Sequence, residues 1–377
     1  MRRSYLRTVI TEGDGEYLAD FTGRGTVVQR AFLTHTAAMQ VSESHRAVAA
    51  LMGAEEPRAD VWMVTEDVDA GTQSRARVTG GRVLSIGGDG PLGKVTVNVA
   101  DDKSLLDTVL GWPKPTAALN AQTDEYAVYT GATETMVKAA IAANATRLSL
   151  PWDIVPTRGA GTPSGRLELR MHDLTRKVGP LLEADRLILT VERQDTGRWT
   201  VDIVEGDTFP RPLTPESGLL VSWDWVVQYR TATRVVAGGR GEGPAREFKH
   251  VIGTAAETAV GIPLEVFIDA KNTEEGTDIT PQATEELASR APRAGFKPVL
   301  REAGWFRFPD AYKIGDRVPV KVGVFEIDDV ITQIQITHDD KGFRVVPTIG
   351  LATSDPQEQL LSLVRQLAAQ VRGLERR

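Results

Sequence analysis

The chain has 377 residues, 41% of them hydrophobic and 25% charged, the proportions of an ordinary globular protein, which argues against disorder and against a bundle of membrane helices. At about 150 residues per domain the length predicts about two to three domains rather than one small fold. A net charge of −7 gives no global attraction to nucleic acid or an anionic bilayer, and a cysteine count of 0 excludes disulfides, thiolate metal sites and cysteine nucleophiles.

The segment Met1 to Ile10 is basic, but polar and charged residues break it before an apolar run of about 7 residues forms, so it does not read as a secretory signal. No window approaches the roughly 18 consecutive apolar residues of a spanning helix, so no membrane anchor is expected and synthesis is expected in the cytoplasm. The 35 glycines and 20 prolines are spread as punctuation between short alternating segments. That spacing predicts many short antiparallel strands.

Arg75 to Gly80 leads through the Gly80-Gly81 step into Arg82 to Ile86; after Gly87 to Pro91 the stretch Lys94 to Val99 alternates strictly, as in a hairpin or meander. Asp101 to Leu106 begins a short helix, and the prolines of Gly111-Trp112-Pro113-Lys114-Pro115 forbid its continuation. A β domain over 1–112 follows. In 113–206 the run Thr133 to Ala143 reads as a helix with Met136, Val137, Ala140 and Ile141 on one face. Two strands, Arg186 to Val191 and Trp199 to Val204, flank the turn Gln194 to Arg198, and one helix on a small sheet is an α+β domain.

After Phe209 to Pro212, β character returns with Trp223 to Val227 and Arg234 to Ala237. The pattern places a second β domain in 207–246 and 314–352, with an α+β domain inserted over 247–313. The insert holds a strand at Leu264 to Ile268 and a helix capped by Thr280 with Pro281 at its first position. The hairpin around Val78 to Val99 has a counterpart in Val330 to Ile336, the turn His338 to Gly342, and Phe343 to Val346, which suggests an internal duplication.

The final segment, 353–377, carries a clear period. Asp355 as cap, Pro356 in the first turn and Glu358 three residues after the cap start a helix. Leu360, Val364, Leu367, Val371 and Leu374 alternate spacings of four and three, a coiled-coil seam that makes them candidate oligomerisation residues. The alternative is an amphipathic helix lying on its own domain. Leu361 and Leu363 widen the stripe, which suits three helices or docking onto a body.

Chemistry-bearing patterns are sparse. His35, His45, His172, His250 and His338 form neither HExxH nor HxH, so no metal or cofactor is expected. Asp328-Asp329 and Asp339-Asp340 lie in or beside turns, where paired acids are ordinarily solvated, and no GxSxG elbow is present. Gly238 to Gly243 lacks the Lys-Ser/Thr of a phosphate loop and reads as a strand-linking loop, and Gly315-Asp316 suits a tight turn. Trp223 and Trp225 suit barrel cores or subunit interfaces, with stacking on sugars or bases as the alternative. No catalytic residue is assigned.

Taken in order, Leu105 to Pro115, Tyr129 to Asn144, Arg240-Gly241-Glu242-Gly243, Tyr312 to Val318 and Val345 to Gly350 resemble the baseplate-hub or tail-associated minor tail proteins of siphophages infecting actinobacteria. The resemblance implies a fold that is mainly β with α+β: two related antiparallel β-barrel domains, two α+β domains and a C-terminal helix. It implies a non-enzymatic homotrimeric hub in the virion, at the tail tip. Its partners would be the distal tail or tail-tube protein, the C-terminus of the tape-measure protein and tip or receptor-binding proteins, with the genome passing through transiently. The rival classes are a phage-associated cell-wall hydrolase and a carbohydrate-binding module.

Overall fold

The computed structural model describes residues 2–90, 93–241, 243–271, 278–301 and 306–350. The candidate seam residues Leu360, Val364, Leu367, Val371 and Leu374 lie outside the described residues. Among the described residues the chain divides into two compact units, one made of the residues up to Trp223 together with 297–350, the other of Asp224–Phe296. It is mainly β, with several sheets.

The first unit opens with β1 (Arg2–Thr11), β2 (Tyr17–Arg30), β3 (Thr36–Ser42), helix α1 (Arg46–Gly53), β4 (Arg58–Asp67), β5 (Thr72–Asp89) and β6 (Lys94–Asp101). Alternation sets their faces: Leu6, Thr8 and Ile10 of β1, Val27 of β2, Met39 of β3, Val61 of β4 and Val97 of β6 are all at 0% exposure. The ladders run β1-β4-β5-β6-β3-β2, and β2 pairs again with β1, so the six strands form a closed circuit. Two long strands make this possible by changing partners. β5 pairs with β4 through Thr72–Arg82 and with β6 through Gly81–Asp89. The Gly80-Gly81 step is therefore not a turn but the crossover point, and the hairpin bend comes after Asp89. A Cβ on Gly81 would strike the Ala100 carbonyl, so glycine is required there for the backbones to approach, and one on Gly80 would collide with the Asp60 and Arg77 side chains.

A 3-10 helix, Asp102–Thr108, leads to an α+β region built of β7 (Leu110–Gly111), β8 (Ala127–Gly131), α2 (Thr133–Arg147), β9 (Trp152–Ile154), β10 (Gly165–Leu169), β11 (His172–Asp173), α3 (Leu174–Ala184), β12 (Leu187–Arg193) and β13 (Trp199–Glu205). As the spacing predicts, Met136, Val137, Ala140 and Ile141 of α2 are buried, and they share one core with Leu106, Leu169, Leu174, Val178, Leu187 and Ile203. Each large apolar side chain so enclosed contributes about 1.5–3 kcal/mol relative to exposure. β12 and β13 form the expected antiparallel hairpin, and β9 joins β13 in parallel.

The chain then runs through β14 (Leu220–Gln228) into β15 (Arg234–Gly238), β16 (Phe248–Ile252), α4 (Thr254–Val260), β17 (Glu265–Asp269), α5 (Thr280–Ser289) and β18 (Arg293–Leu300). The Arg234 strand, assigned by sequence position to the second β domain, pairs here with β16 and β17 in a three-stranded sheet of order β16-β15-β17. Val235 and Ala237 pack with Ile279 and Ala283 beneath it. Thr280 is not the cap that the sequence pattern suggests but the first residue of α5, with Ile279 in the cap position, and Asp278 Oδ1 accepts the Thr280 N–H at 2.9 Å and its hydroxyl at 2.6 Å.

The last strands, β19 (Arg317–Val322), β20 (Phe325–Asp339) and β21 (Gly342–Gly350), return to the first unit. β20 pairs with β2 over Gln333–His338 and with β21 in a hairpin, so the second β region continues the first sheet. Before β19, Gly315 sits at φ +88°, a left-handed value that glycine adopts without strain. Asp316 then accepts the Lys313 N–H at 2.8 Å and the Asp207 N–H at 3.1 Å, which closes the turn predicted there.

Candidate functional site

Asp101, Asp102 and Lys103 are three consecutive charged residues, and such runs ordinarily face water. Here they are 7%, 1% and 6% exposed. Their place in the chain is the cause. β6 ends inside the strand circuit, and the 3-10 helix that follows must deliver Leu106 to the α+β core. The link between the two is thus enclosed on both sides, and each charge has to be matched.

Asp102 is matched by Arg58 of β4, whose Nη2 donates to both carboxylate oxygens at 2.8 Å. Arg77, held by Asp60 at 2.7 Å, stands 4.0 Å from the same carboxylate. The Arg58 guanidinium lies 5.7 Å from the ring centre of Trp199 on β13, and Arg193 lies 5.6 Å from it. Cation–π attraction thereby ties the strand circuit to the α+β region.

Asp101 belongs to a second set. Its carboxylate accepts the His35 backbone N–H at 3.0 Å and lies 3.3 Å from His35 Nδ1 and 3.8 Å from Lys103 Nζ. Lys103 Nζ donates to the Arg30 carbonyl at 3.0 Å, and His35 Nε2 is 3.1 Å from that same oxygen. Burial pushes the Asp101 carboxyl up to about 7 against the pull of Lys103. It pushes Lys103 down to about 8 and holds His35 well below its ordinary value. His35 is therefore neutral at pH 7, with Nε2 facing the Arg30 carbonyl and Nδ1 facing the Asp101 carboxyl.

A further buried group organises the α+β region. Burial alone would raise the Glu134 carboxyl, but it is held low by the Ala160 and Arg158 N–H groups at 2.9 Å and by Lys138 at 2.6 Å. Lys138 also reaches Asp202 at 2.7 Å. These carboxylates are saturated by protein donors, whereas a general acid or base must reach a substrate. The arrangement locks strands to helices.

The residues singled out by sequence are dispersed. His45 caps α1, accepting the Ala47 N–H at 3.1 Å. Burial lowers His172 to about 4, and its Nδ1 accepts the Arg170 N–H at 2.9 Å. His338 Nδ1 lies 3.0 Å from the Gly23 carbonyl, and His250 lies on β16. Each paired acid holds an arginine: Asp328 with Arg317 at 3.2 Å, Asp329 with Arg186 at 2.8 Å, Asp339 with Arg344, and Asp340 with Arg24 at 2.7 Å. Gly238-Gly239-Arg240-Gly241 links β15 to β16. Trp152 is buried in the α+β core, Trp112 lies under the Arg147 guanidinium at 4.3 Å, and Trp225 is 56% exposed. Among the described residues no group of three or more His, Asp and Glu is placed to hold a metal ion.

Sequence reading reached Asp101 to Lys103 only as a helix start. The available signal was three charges set between a strictly alternating strand and Leu105-Leu106, with only Ala100 and Ser104 intervening.

The family model described as "Siphovirus ReqiPepy6 Gp37-like protein" matches residues 11–351. No curated protein matches the chain. Among solved structures, a tail protein from Neisseria meningitidis is similar at a TM-score of 0.54 and 9% identity, covering 93% of this chain and 97% of that one. The 43 kDa tail protein of prophage MuSo2 from Shewanella oneidensis is similar at 0.52 and 13%, covering 91% and 98%. Prophage tail protein gp18 from Listeria monocytogenes is similar at 0.52 and 8%, covering 96% and 98%. With a family match over nearly its whole length and a fold like that of prophage tail proteins, the chain belongs to the Siphovirus ReqiPepy6 Gp37-like protein family.

Proposed function

We propose that the protein is a structural tail component of a siphovirus, acting as a homotrimeric hub at the tail tip. The observation that carries this reading is the end-to-end likeness to three tail proteins, each covering at least 91% of this chain. The closed circuit β1-β4-β5-β6-β3-β2 serves as one β-barrel, and β19, β20 and β21 with their neighbours as the related second one. Two such domains from each of three chains make a pseudo-sixfold ring that fits a hexameric tail tube. The saturated carboxylates around Asp102 and Glu134 support a load-bearing rather than an enzymatic role. The ring joins the tail-tube or distal tail protein to tip or receptor-binding proteins, receives the end of the tape-measure protein and lets the genome pass. Leu360, Val364, Leu367, Val371 and Leu374 serve as a threefold seam that reinforces the trimer. Gold-labelled antibody raised against the chain and applied to intact virions tests the assignment. Label at the tail tip is expected; label along the tube, on the head, or absent from virions contradicts it.

A further inference from the structure

The sheet β16-β15-β17 is covered on one face only. Alternation turns Val235 and Ala237 of β15 toward α5, where Ile279, Ala283 and Leu287, spaced four apart, close over them. The register pairs Gly238 with Phe248 and Val236 with both His250 and Phe267, so these residues share the opposite face with Ile252. There Phe248, Phe267 and Ile252 are 55%, 52% and 38% exposed.

The two rings are held in place. Arg246 donates to the Gly238 and Gly239 carbonyls at 3.1 Å each and to Asp269 at 2.6 Å. Its guanidinium lies 5.6 Å from the Phe248 ring centre and 5.4 Å from that of Phe267. A Cβ on Gly238 would collide with both Arg246 and Phe267, so the absence of a side chain there makes room for the arrangement. Cation–π attraction to one fixed guanidinium orders both rings, and an ordered aromatic pair loses little further freedom when it is covered.

Charge, area and backbone chemistry select the cover. Arg234 is offset by Glu257 and Glu265, and Arg246 by Asp269, which leaves His250 as the remaining polar side chain of the face. Such a face has no spare cation for a polyanion and would leave the hydroxyls of a sugar largely unpaired. Taking about 150–250 Å² for a whole aromatic side chain, two half-exposed rings and Ile252 present about 200–300 Å², against roughly 800 Å² per partner in a stable protein–protein contact. That area suits one chain segment and is too small for a second folded copy. A segment lying on a face, away from the strand edges, finds no backbone partners, so it must pair its own N–H and C=O groups, as a helix does. The same three strands already seat one helix, α5, on their other side.

We propose that the open face of β16-β15-β17 is a docking site for the apolar side of one amphipathic helix from a neighbouring protein, with Phe248 and Phe267 as its anchors. The occupant carries apolar residues three and four apart, as α5 does. Seeking it among phage proteins rests on the tail reading above.

The test places a photoactivatable side chain on this face of the full chain, as His250→p-benzoylphenylalanine, and irradiates cells producing the phage before lysis. Mass spectrometry then sequences whatever is joined. A peptide from a different protein with that helical spacing is expected, and its synthetic copy should bind the purified full chain saturably and gain helical circular dichroism. Phe248→Ala combined with Phe267→Ala should weaken that binding at least about tenfold, and Ile252→Glu, which keeps both rings, should do the same by setting a charge against an apolar surface. A second copy of this chain, a glycan or a peptide without that spacing in the joined product overturns the proposal. So does the absence of any joined product, or unaltered binding in both variants. Antibody label away from the tail tip would sink the tail reading alone, because the crosslink is read in cells wherever the chain is assembled.

Discussion

Replacing Asp102 with alanine isolates the contribution of the buried junction. The Arg58 and Asp102 side chains are 9% and 0% exposed, so the variant leaves a guanidinium enclosed with neither of its two 2.8 Å acceptors. Breaking a buried ion pair on one side costs about 3–5 kcal/mol, because the remaining charge is uncompensated. Trp199 stays near Arg58 and returns part of that loss, which places the expected value toward the lower end of the range. Arg58→Met with Asp102→Leu replaces both charges by apolar groups and should recover most of the stability, since an intact buried pair gives little over a hydrophobic one. Urea unfolding followed by tryptophan fluorescence measures the difference. Hydrogen exchange over Asp102–Thr108 shows whether the junction opens before the rest, which a chain of two compact units permits. An Asp102→Ala cost below about 1 kcal/mol, or a double variant as unstable as the single one, would refute the reasoning.

Asp101, raised from 3.8 to about 7, keeps in the folded state a proton that the unfolded chain releases; its stabilising contribution is complete below about pH 4 and lost as pH rises through about 7. Lys103, lowered from 10.5 to about 8, acts oppositely, with its contribution present above 10.5 and lost as pH falls through about 8. Asp101→Asn should therefore flatten the slope of unfolding midpoint against pH between about 4 and 7, and an unchanged slope would contradict the assignment. Gly315→Ala should cost at least about 1 kcal/mol, because φ is +88° and the new Cβ would press on the buried Ile188; a thermal midpoint equal to the parent's would argue otherwise. Leu367→Asp should lower the trimer fraction while leaving the far-ultraviolet strand signal intact, since it buries charge against itself along the proposed seam. Unaltered self-association and helix protection would place that helix on its own subunit.

Elements whose pattern depends on local periodicity were legible. The face of α2, the hairpin of β12 and β13, and the strands β6 and β21 follow from alternation or helical spacing alone. What was not legible depends on partners far along the chain. Gly80-Gly81 carries the composition of a turn, yet β5 passes straight through it because β4 and β6 press from either side. Arg234–Gly238 reads as a strand equally well in either unit, and only its pairing with Glu265–Asp269 assigns it. Asp101, Asp102 and Lys103 look like solvated charges until Arg58 of β4, Arg30 of β2 and His35 of the β2–β3 connection arrive from elsewhere in the chain.

The central claim is a threefold ring, and the mass of the purified chain at assembly-level concentration, determined by light scattering together with a projection image by electron microscopy, tests it most directly. Three times the mass of the 377-residue chain and a three-lobed ring are predicted. A monomer or dimer at that concentration, or a particle without threefold symmetry, would contradict the account.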